Sequence, residues 1–226
     1  MRLCNECQLN QSNPPIAPLN PWNWPSRLWA RVHIDYAGPF ESHYLLILID
    51  GHSKWTEAFP ATSPSSSVAI ELLHSVLTQF GLSETLVSDN GSCFTSEEFQ
   101  QFLKSNGIKQ VTSASYHLSS NGLAERAVQI VKKGLKKTTD GSIKSRIARI
   151  LFAYRNTPHC TTGQSPAKLL LGRNSRTRLD LLKPNTTAHV ENKQWNQKIS
   201  HDNSVKSHSF SKSQSVLVCV YGQNHK

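Results

Sequence analysis

Three acidic side chains are the residues of this chain best suited to chemistry: Asp35 in RVHIDYAGPF, Asp89 in TLVSDNGSCF and Glu125 in SSNGLAERAV. The last two are separated by 35 residues, positions 90–124. Brought to one point, three carboxylates make an all-oxygen donor set suited to two Mg²⁺ or Mn²⁺ ions. Such a pair, about 3.5–4 Å apart, drives in-line displacement at phosphorus. Taken singly, each acid also has an ordinary reading: a solvated strand aspartate, a turn former before Asn-Gly, an acid on a solvated helix face.

The local patterns say how each acid would be held. Around Asp35, Val32, Ile34 and Tyr36 alternate with Arg31, His33 and Asp35, so a strand turns the acid away from the Val/Ile/Tyr face. Asp89 follows Leu86-Val87 and precedes Asn90-Gly91, the mouth of a strand where the chain turns. From Asn121 to Lys137 the pattern is helical, with Leu123, Ala124, Ala127, Val128, Ile130, Val131 and Leu135 on one broad face. Glu125, Gln129, Lys132, Lys133 and Lys136 share the opposite face. If the apolar side packs on a sheet, this stripe presents Glu125 to the other acids and its lysines to a polyanion.

The remaining elements follow from the same signals. Strands are expected over residues 31–38, 44–49 and 54–60; the second is a continuous apolar run suited to burial on both faces and too short to span a membrane. A helix is expected over 66–80, stopped by Gly81. Another would start at Thr95 with Glu98 completing a capping box and stop near Gly107. A strand over 108–112, the Glu125 helix and a last helix over 142–156 complete the core. Strands first and alternation afterwards predict an α/β fold, a mixed sheet with helices on its faces.

The segments around the acids resemble the catalytic core of integrases from Gypsy-type LTR retrotransposons, relatives of retroviral integrases. They are HIDYAGPF, LLILIDGHSKWTEAFP, FGLSETLVSDNGSCFTSEEFQQFLKSNGIK, SYHLSSNGLAERAVQIVKKGL and LFAYRNTPHCTTGQSPAKLLLGRNSRTRLDLL, in the family's order over roughly residues 26–185. The resemblance implies a ribonuclease H-like fold with helices on both faces of the sheet. It carries the family's catalytic and metal-binding triad onto Asp35, Asp89 and Glu125, and treats Asp50 as structural. It implies 3′-end processing and strand transfer of element DNA, with a homo-oligomer as the active form. Lys132, Lys133 and Lys136 would hold phosphates, and Gln129 would be a weaker DNA contact. His117 and Asn121 would help position the Glu125 helix or the DNA, or act as a loop residue and a helix cap. Where the family commonly has Tyr-His-Pro, this chain has Tyr116-His117-Leu118, which loosens that loop and bears on activity more than on fold. The alternatives are a catalytically silent, domesticated or fragmentary derivative that still binds nucleic acid, or a structural remnant.

The rest of the chain bounds these readings. A net charge of +10 over 226 residues and a pI near 9.5 favour a polyanion such as DNA as partner. Five dispersed cysteines and no apolar signal after Met1 are expected of an intracellular protein, nuclear or cytoplasmic. Cys4 and Cys7, in residues 1–25, match the second half of the family's His/Cys zinc module. The matching histidines would lie upstream of Met1, so no zinc module is expected here. Residues 14–25 read as an extended Pro/Trp-rich linker. Residues 186–226 read as a basic tail, largely disordered from 186 to 214, with one strand over 215–221 that would start a truncated barrel.

Overall fold

The computed structural model describes residues 22–113, 121–182, 186–205 and 209–217. The expected meander is present as β1 (Arg31–Phe40), β2 (His43–Asp50) and β3 (Thr56–Ala61). It is followed by α1 (Ser66–Phe80), β4 (Thr85–Ser88), a single-turn α2 (Ser92–Thr95), α3 (Glu97–Ser105) and β5 (Lys109–Thr112). Then come α4 (Gly122–Lys137), α5 (Ile143–Asn156) and α6 (Pro166–Leu171). The sheet runs in the order β3-β2-β1-β4-β5. β1, β2 and β3 pair antiparallel, and β4 and β5 join parallel to β1.

The apolar run of β2 is continuous because both faces of the sheet are covered. Leu46 and Leu48 point to one side, where Val32 and Ile34 of β1 meet Ala69, Leu73 and Val76 of α1 and Phe99 and Leu103 of α3. Leu45, Ile47 and Ile49 point to the other, against Ala124, Ala127, Val131 and Leu135 of α4 and Ile147 and Leu151 of α5. All five β2 residues are at most 2 % exposed, and burying each contributes roughly 1.5–3 kcal/mol. α4 and α5 touch closely: a Cβ at Gly134 would lie 2.8 Å from the Ile150 side chain.

Caps set most helix ends. Ser65 accepts from the Val68 N–H at the start of α1, and Gly81 ends it at φ 89°. Ser142 accepts from the Ser145 N–H ahead of α5. The capping box at Thr95 is not formed. Ser96 caps α3 through the Phe99 N–H, and Glu98 instead accepts from the Ser66 hydroxyl of α1 at 2.7 Å, a tertiary bond that local spacing does not reveal. β3 starts at Thr56 rather than Lys54, because Lys54 sits at φ 63° in the turn. α6 was not anticipated, although its signals are orthodox: Ser165 as cap, Pro166 in the first turn and Gly172 in the left-handed conformation.

The described residues form two compact units, the first ending at Ser175 and the second starting at Arg176. The second holds a 3₁₀ turn (Arg178–Leu182) and α7 (Thr186–Asp202), none of whose residues is buried. The expectation of disorder over 186–214 is therefore corrected for 186–202. No Gly or Pro interrupts that stretch, and Ala, Glu, Lys and Gln favour helix without any periodic apolar face. Residues 215–217 are exposed and in no strand; 218–221 lie outside the described residues. No helix among the described residues is long and apolar enough to cross a membrane.

Candidate active site

Two parallel strands bring the aspartates side by side. β1 and β4 pair parallel with Val32 opposite Leu86 and His33 opposite Val87; Asp35 lies two residues beyond that pairing on β1, and Asp89 follows the last residue of β4. Asp89 leaves the sheet in the Asn-Gly turn. The Gly91 N–H donates to Asp89 Oδ1 at 3.0 Å, and the Asn90 amide donates to the Ser113 carbonyl at 2.7 Å, tying the turn to the residue after β5. A Cβ at Gly91 would sit 3.0 Å from Asp89 Oδ1, so the close turn depends on glycine there.

Glu125 arrives from α4, which lies on the sheet face that carries Asp35. Its first turn is fastened by Asn121, whose Nδ2 donates to the Ile34 carbonyl at 3.1 Å while its Oδ1 faces His33 Nδ1 at 3.3 Å. Asn121 is 2 % exposed and makes no side-chain cap bond to the helix. It therefore lies beneath the site rather than on a DNA-facing surface, holding the start of α4 to the β1 residue next to Asp35. The side-chain cap reading of Asn121 is corrected, because its Oδ1 faces His33 and its Nδ2 donates to Ile34, both on β1. Glu125 in the first turn also meets the positive end of the helix dipole.

The Asp35 carboxyl senses the other two acids. Burial, with the Asp89 and Glu125 charges added, pushes the Asp35 carboxyl from 3.8 up to about 7; the Tyr36 backbone N–H and the Lys132 ammonium oppose this. His33, on the same strand face, is pushed down to about 4, chiefly by burial and then by Arg31. Beneath the site the Cys93 thiol is raised by burial and by Asp89, as for an unreactive thiol. Among the described residues, no three His, Cys, Asp or Glu side chains are grouped so that they could hold one metal ion. Asp89 and Glu125 are near enough for their charges to be felt at Asp35. Their chemistry still fits a hard divalent cation: oxygen donors only, with a carboxyl whose charge is unwelcome until a cation offsets it.

The basic stripe is ordered as its spacing implies. Lys132 is half-buried, and its charge is felt at Asp35; Gln129, Lys133 and Lys136 are exposed. Gln129 and Lys133 also line a groove of about 310 Å³ with Arg126, Tyr154 and His159. Arg126 and His159 escaped the sequence reading, although Arg126, seven residues before Lys133, lies on the same side of the helix. His117, Cys4 and Cys7 lie outside the described residues.

The YRNTPH segment proves to be architectural. Tyr154 donates to the Lys54 carbonyl at 3.1 Å, and Arg155 bonds the Thr56 carbonyl and pairs with Glu57 at 2.7 Å. Asn156 accepts from the Ser175 N–H. Tyr154 and Arg155 thus hold α5 to the turn before β3 and to the start of β3, and Asn156 holds it to the segment after α6.

Comparison with known proteins agrees with this geometry. Residues 29–117 match the family model of the integrase core domain, a span that includes Asp35 and Asp89 and stops short of Glu125. An uncharacterized protein of Caenorhabditis elegans is 39% identical over 230 residues, covering 100% of this chain and 18% of that protein. The Pro-Pol polyprotein of feline foamy virus is 31% identical over 179 residues, covering 75% of this chain and 15% of the polyprotein. The chain thus spans less than a fifth of the length of these curated relatives. The HTLV-2 integrase catalytic core domain, solved in complex with magnesium in a trimeric form, superposes with a TM-score of 0.54 at 20% identity. That match covers 63% of this chain and 96% of the other. A chain of the simian T-cell lymphotropic virus intasome, solved in complex with PP2A regulatory subunit B56 gamma, superposes with a TM-score of 0.62 at 21% identity. It covers 78% of this chain and 64% of the other.

The five-stranded mixed sheet, with helices on both faces, is the ribonuclease H-like fold. Within that class the core-domain match and the relatives support a retroviral-type integrase catalytic core.

Proposed function

We propose that residues 26–185 form the catalytic core of a DNA integrase, a polynucleotidyl transferase whose acids are Asp35, Asp89 and Glu125. The observation that carries this reading is that separate elements bring Asp89, Glu125 and Lys132 close enough for their charges to be felt at the half-buried Asp35. Two Mg²⁺ or Mn²⁺ ions, when bound by these acids, would supply activation of the attacking oxygen and neutralisation of the leaving one. The parallel pairing of β1 with β4 and the Asn121 bond from the start of α4 to the Ile34 carbonyl support this reading. Lys132, Lys133 and Lys136 hold backbone phosphates, and Arg126 extends that grip along the groove beside α4. With water as nucleophile the site trims a 3′ end; with the resulting 3′-hydroxyl it joins that end to a second duplex. On this reading the protein works on DNA in the nucleus or cytoplasm, and as a homo-oligomer, since similar cores were solved in trimeric and dimeric forms.

The test is a nicking and joining assay on labelled element-end DNA with Mn²⁺. Asp89→Asn is expected to reduce turnover by about two orders of magnitude or more. No turnover by the intact chain, or turnover unchanged by Asp89→Asn, overturns the proposal. One departure in the sequence favours a second reading, a catalytically silent DNA-binding derivative: Leu118 stands where the family commonly has proline. Salt-dependent DNA binding without turnover in Mn²⁺ identifies that case.

A further inference from the structure

An asparagine at the start of a helix ordinarily turns its side-chain oxygen back onto the first-turn N–H groups. At the start of α4 that bond is not made. Asn121 Oδ1 instead faces His33 Nδ1 at 3.3 Å, and its Nδ2 donates to the Ile34 carbonyl at 3.1 Å. We propose that His33 is a positioning residue for Glu125: its ring N–H diverts Asn121 from capping α4 to tethering that helix to β1. This rests on the integrase reading, in which Glu125 is one of three acids that work at a common point.

Hydrogen-bond chemistry sets the direction of that choice. The Ile34 carbonyl only accepts, so the Asn121 group bonded to it is the NH2 and the group toward His33 is the oxygen. His33 Nδ1 is therefore the ring nitrogen that carries hydrogen. Turned over, the amide would set oxygen against oxygen at Ile34. Without a donor at position 33, Oδ1 would be an acceptor without a partner on a residue only 2 % exposed. The first-turn N–H groups of its own helix are then the donors it turns to, and the tether is given up for the cap.

The placing of His33 agrees with this task. Alternation along β1 puts His33, Asp35 and Ala37 on one face, where Ala37 joins the apolar layer of α4 and α5. Burying an imidazole there costs desolvation, its Nε2 has no partner among the described residues, and the bond to Asn121 is the compensation. Arg31 and His33 border a cavity of about 540 Å³, yet Trp22 meets the His33 ring at 85° with centroids 5.9 Å apart. His33 stays 1 % exposed, so water does not compete for its Nδ1 hydrogen. β4 pairs with β1 only as far as His33, so the tether grips β1 where the parallel ladder ends, at the residue before Asp35. On α4 it grips one helical turn before Glu125.

The experiment follows the Asn121 side-chain NH2 signals in the intact ¹⁵N-labelled chain, identified by their loss from Asn121→Ala, and measures Mn²⁺ affinity by calorimetry. The NH2 hydrogens are expected to exchange slowly with solvent in the unaltered chain and about tenfold faster in His33→Phe, which keeps a ring and removes the donor. His33→Leu serves the same purpose if the phenylalanine variant does not fold. Mn²⁺ is expected to bind about tenfold more weakly to His33→Phe and to Asn121→Ala, with no further loss when the two are combined. His33→Asn sets an amide nitrogen in the place of Nδ1 and is expected to restore most of both readings, which a smaller side chain that merely filled space would not do. Fast exchange in the unaltered chain, unchanged exchange in His33→Phe, or His33→Asn no better than His33→Phe overturns the proposal. An unaltered chain that binds no Mn²⁺ fails the integrase reading, whereas exchange of the Asn121 NH2 group decides the tether without any metal.

Discussion

Asp35 and Asp50 stand on adjacent strands of one sheet, and they are opposite kinds of carboxylate. Asp50 is completely buried at the end of β2, and it accepts from the backbone N–H groups of Trp29, His52 and Ser53 and from the Ser53 hydroxyl. Asp35 is only partly buried, yet burial and two neighbouring acids push its carboxyl up to about 7. The difference lies in what surrounds the charge: Asp50 is solvated by the protein and organises a turn, whereas Asp35 sits among like charges. Burial by itself therefore does not distinguish a structural acid from a chemical one; the partners do.

Removing each charge should have opposite consequences, and this is the largest expected effect. Asp50→Ala strands three N–H groups and should cost on the order of 4 kcal/mol in denaturant unfolding. Asp35→Asn should stabilise the chain at pH 8 by a few kcal/mol in the absence of divalent ions. The sign follows from linkage. The folded carboxyl holds its proton up to about pH 7 and the unfolded one only to about 3.8, so Asp35 favours folding most below that lower value. Its contribution falls as pH rises through the window between them and is flat above it. Asp35→Asn should accordingly gain little at pH 4 and most at pH 8. Equal losses from Asp50→Ala and Asp35→Asn would erase the distinction.

A smaller effect sharpens the comparison from the ligand side. At pH 8, Mn²⁺ at about ten times its dissociation constant should stabilise the chain by about 1.4 kcal/mol, measured as a thermal shift. Asp35→Asn or Glu125→Gln should remove that shift, and a surface change such as Lys109→Ala should not. A Mn²⁺ shift that survives both acid substitutions would place the ion elsewhere. The smallest expected change concerns the basic stripe. Lys132→Ala and Lys136→Ala should each reduce the log–log salt slope of DNA binding by about 0.9, with unfolding stability nearly unchanged. A slope that ignores both would detach the stripe from DNA.

Much of this was legible along the chain, and the exceptions share a cause. Alternation around Asp35, the apolar run of β2 and the amphipathic pattern of α4 each report a buried face, so they located five strands and the main core helices. Thr95, Lys54 and residues 186–202 were misread for reasons periodicity cannot supply. Glu98 was claimed by Ser66 across the fold, Lys54 took a turn conformation, and α7 is helical with no buried face. Asn121 is the clearest case. Its place before a helix suggested a cap or a surface contact, but its partner is a carbonyl 87 residues earlier, brought near only when α4 docks on β1.

By itself the sequence determined the candidate acids, the stripe of lysines and the α/β class, because residue type and period are local properties of a chain. Only the tertiary structure decided which acid is satisfied and which is strained by its neighbours, that Asn121 fastens Glu125 to β1, and that Arg31 and His33 border a cavity. Those depend on which distant groups share a desolvated space, where the strength of a charge or hydrogen bond is set by what surrounds it.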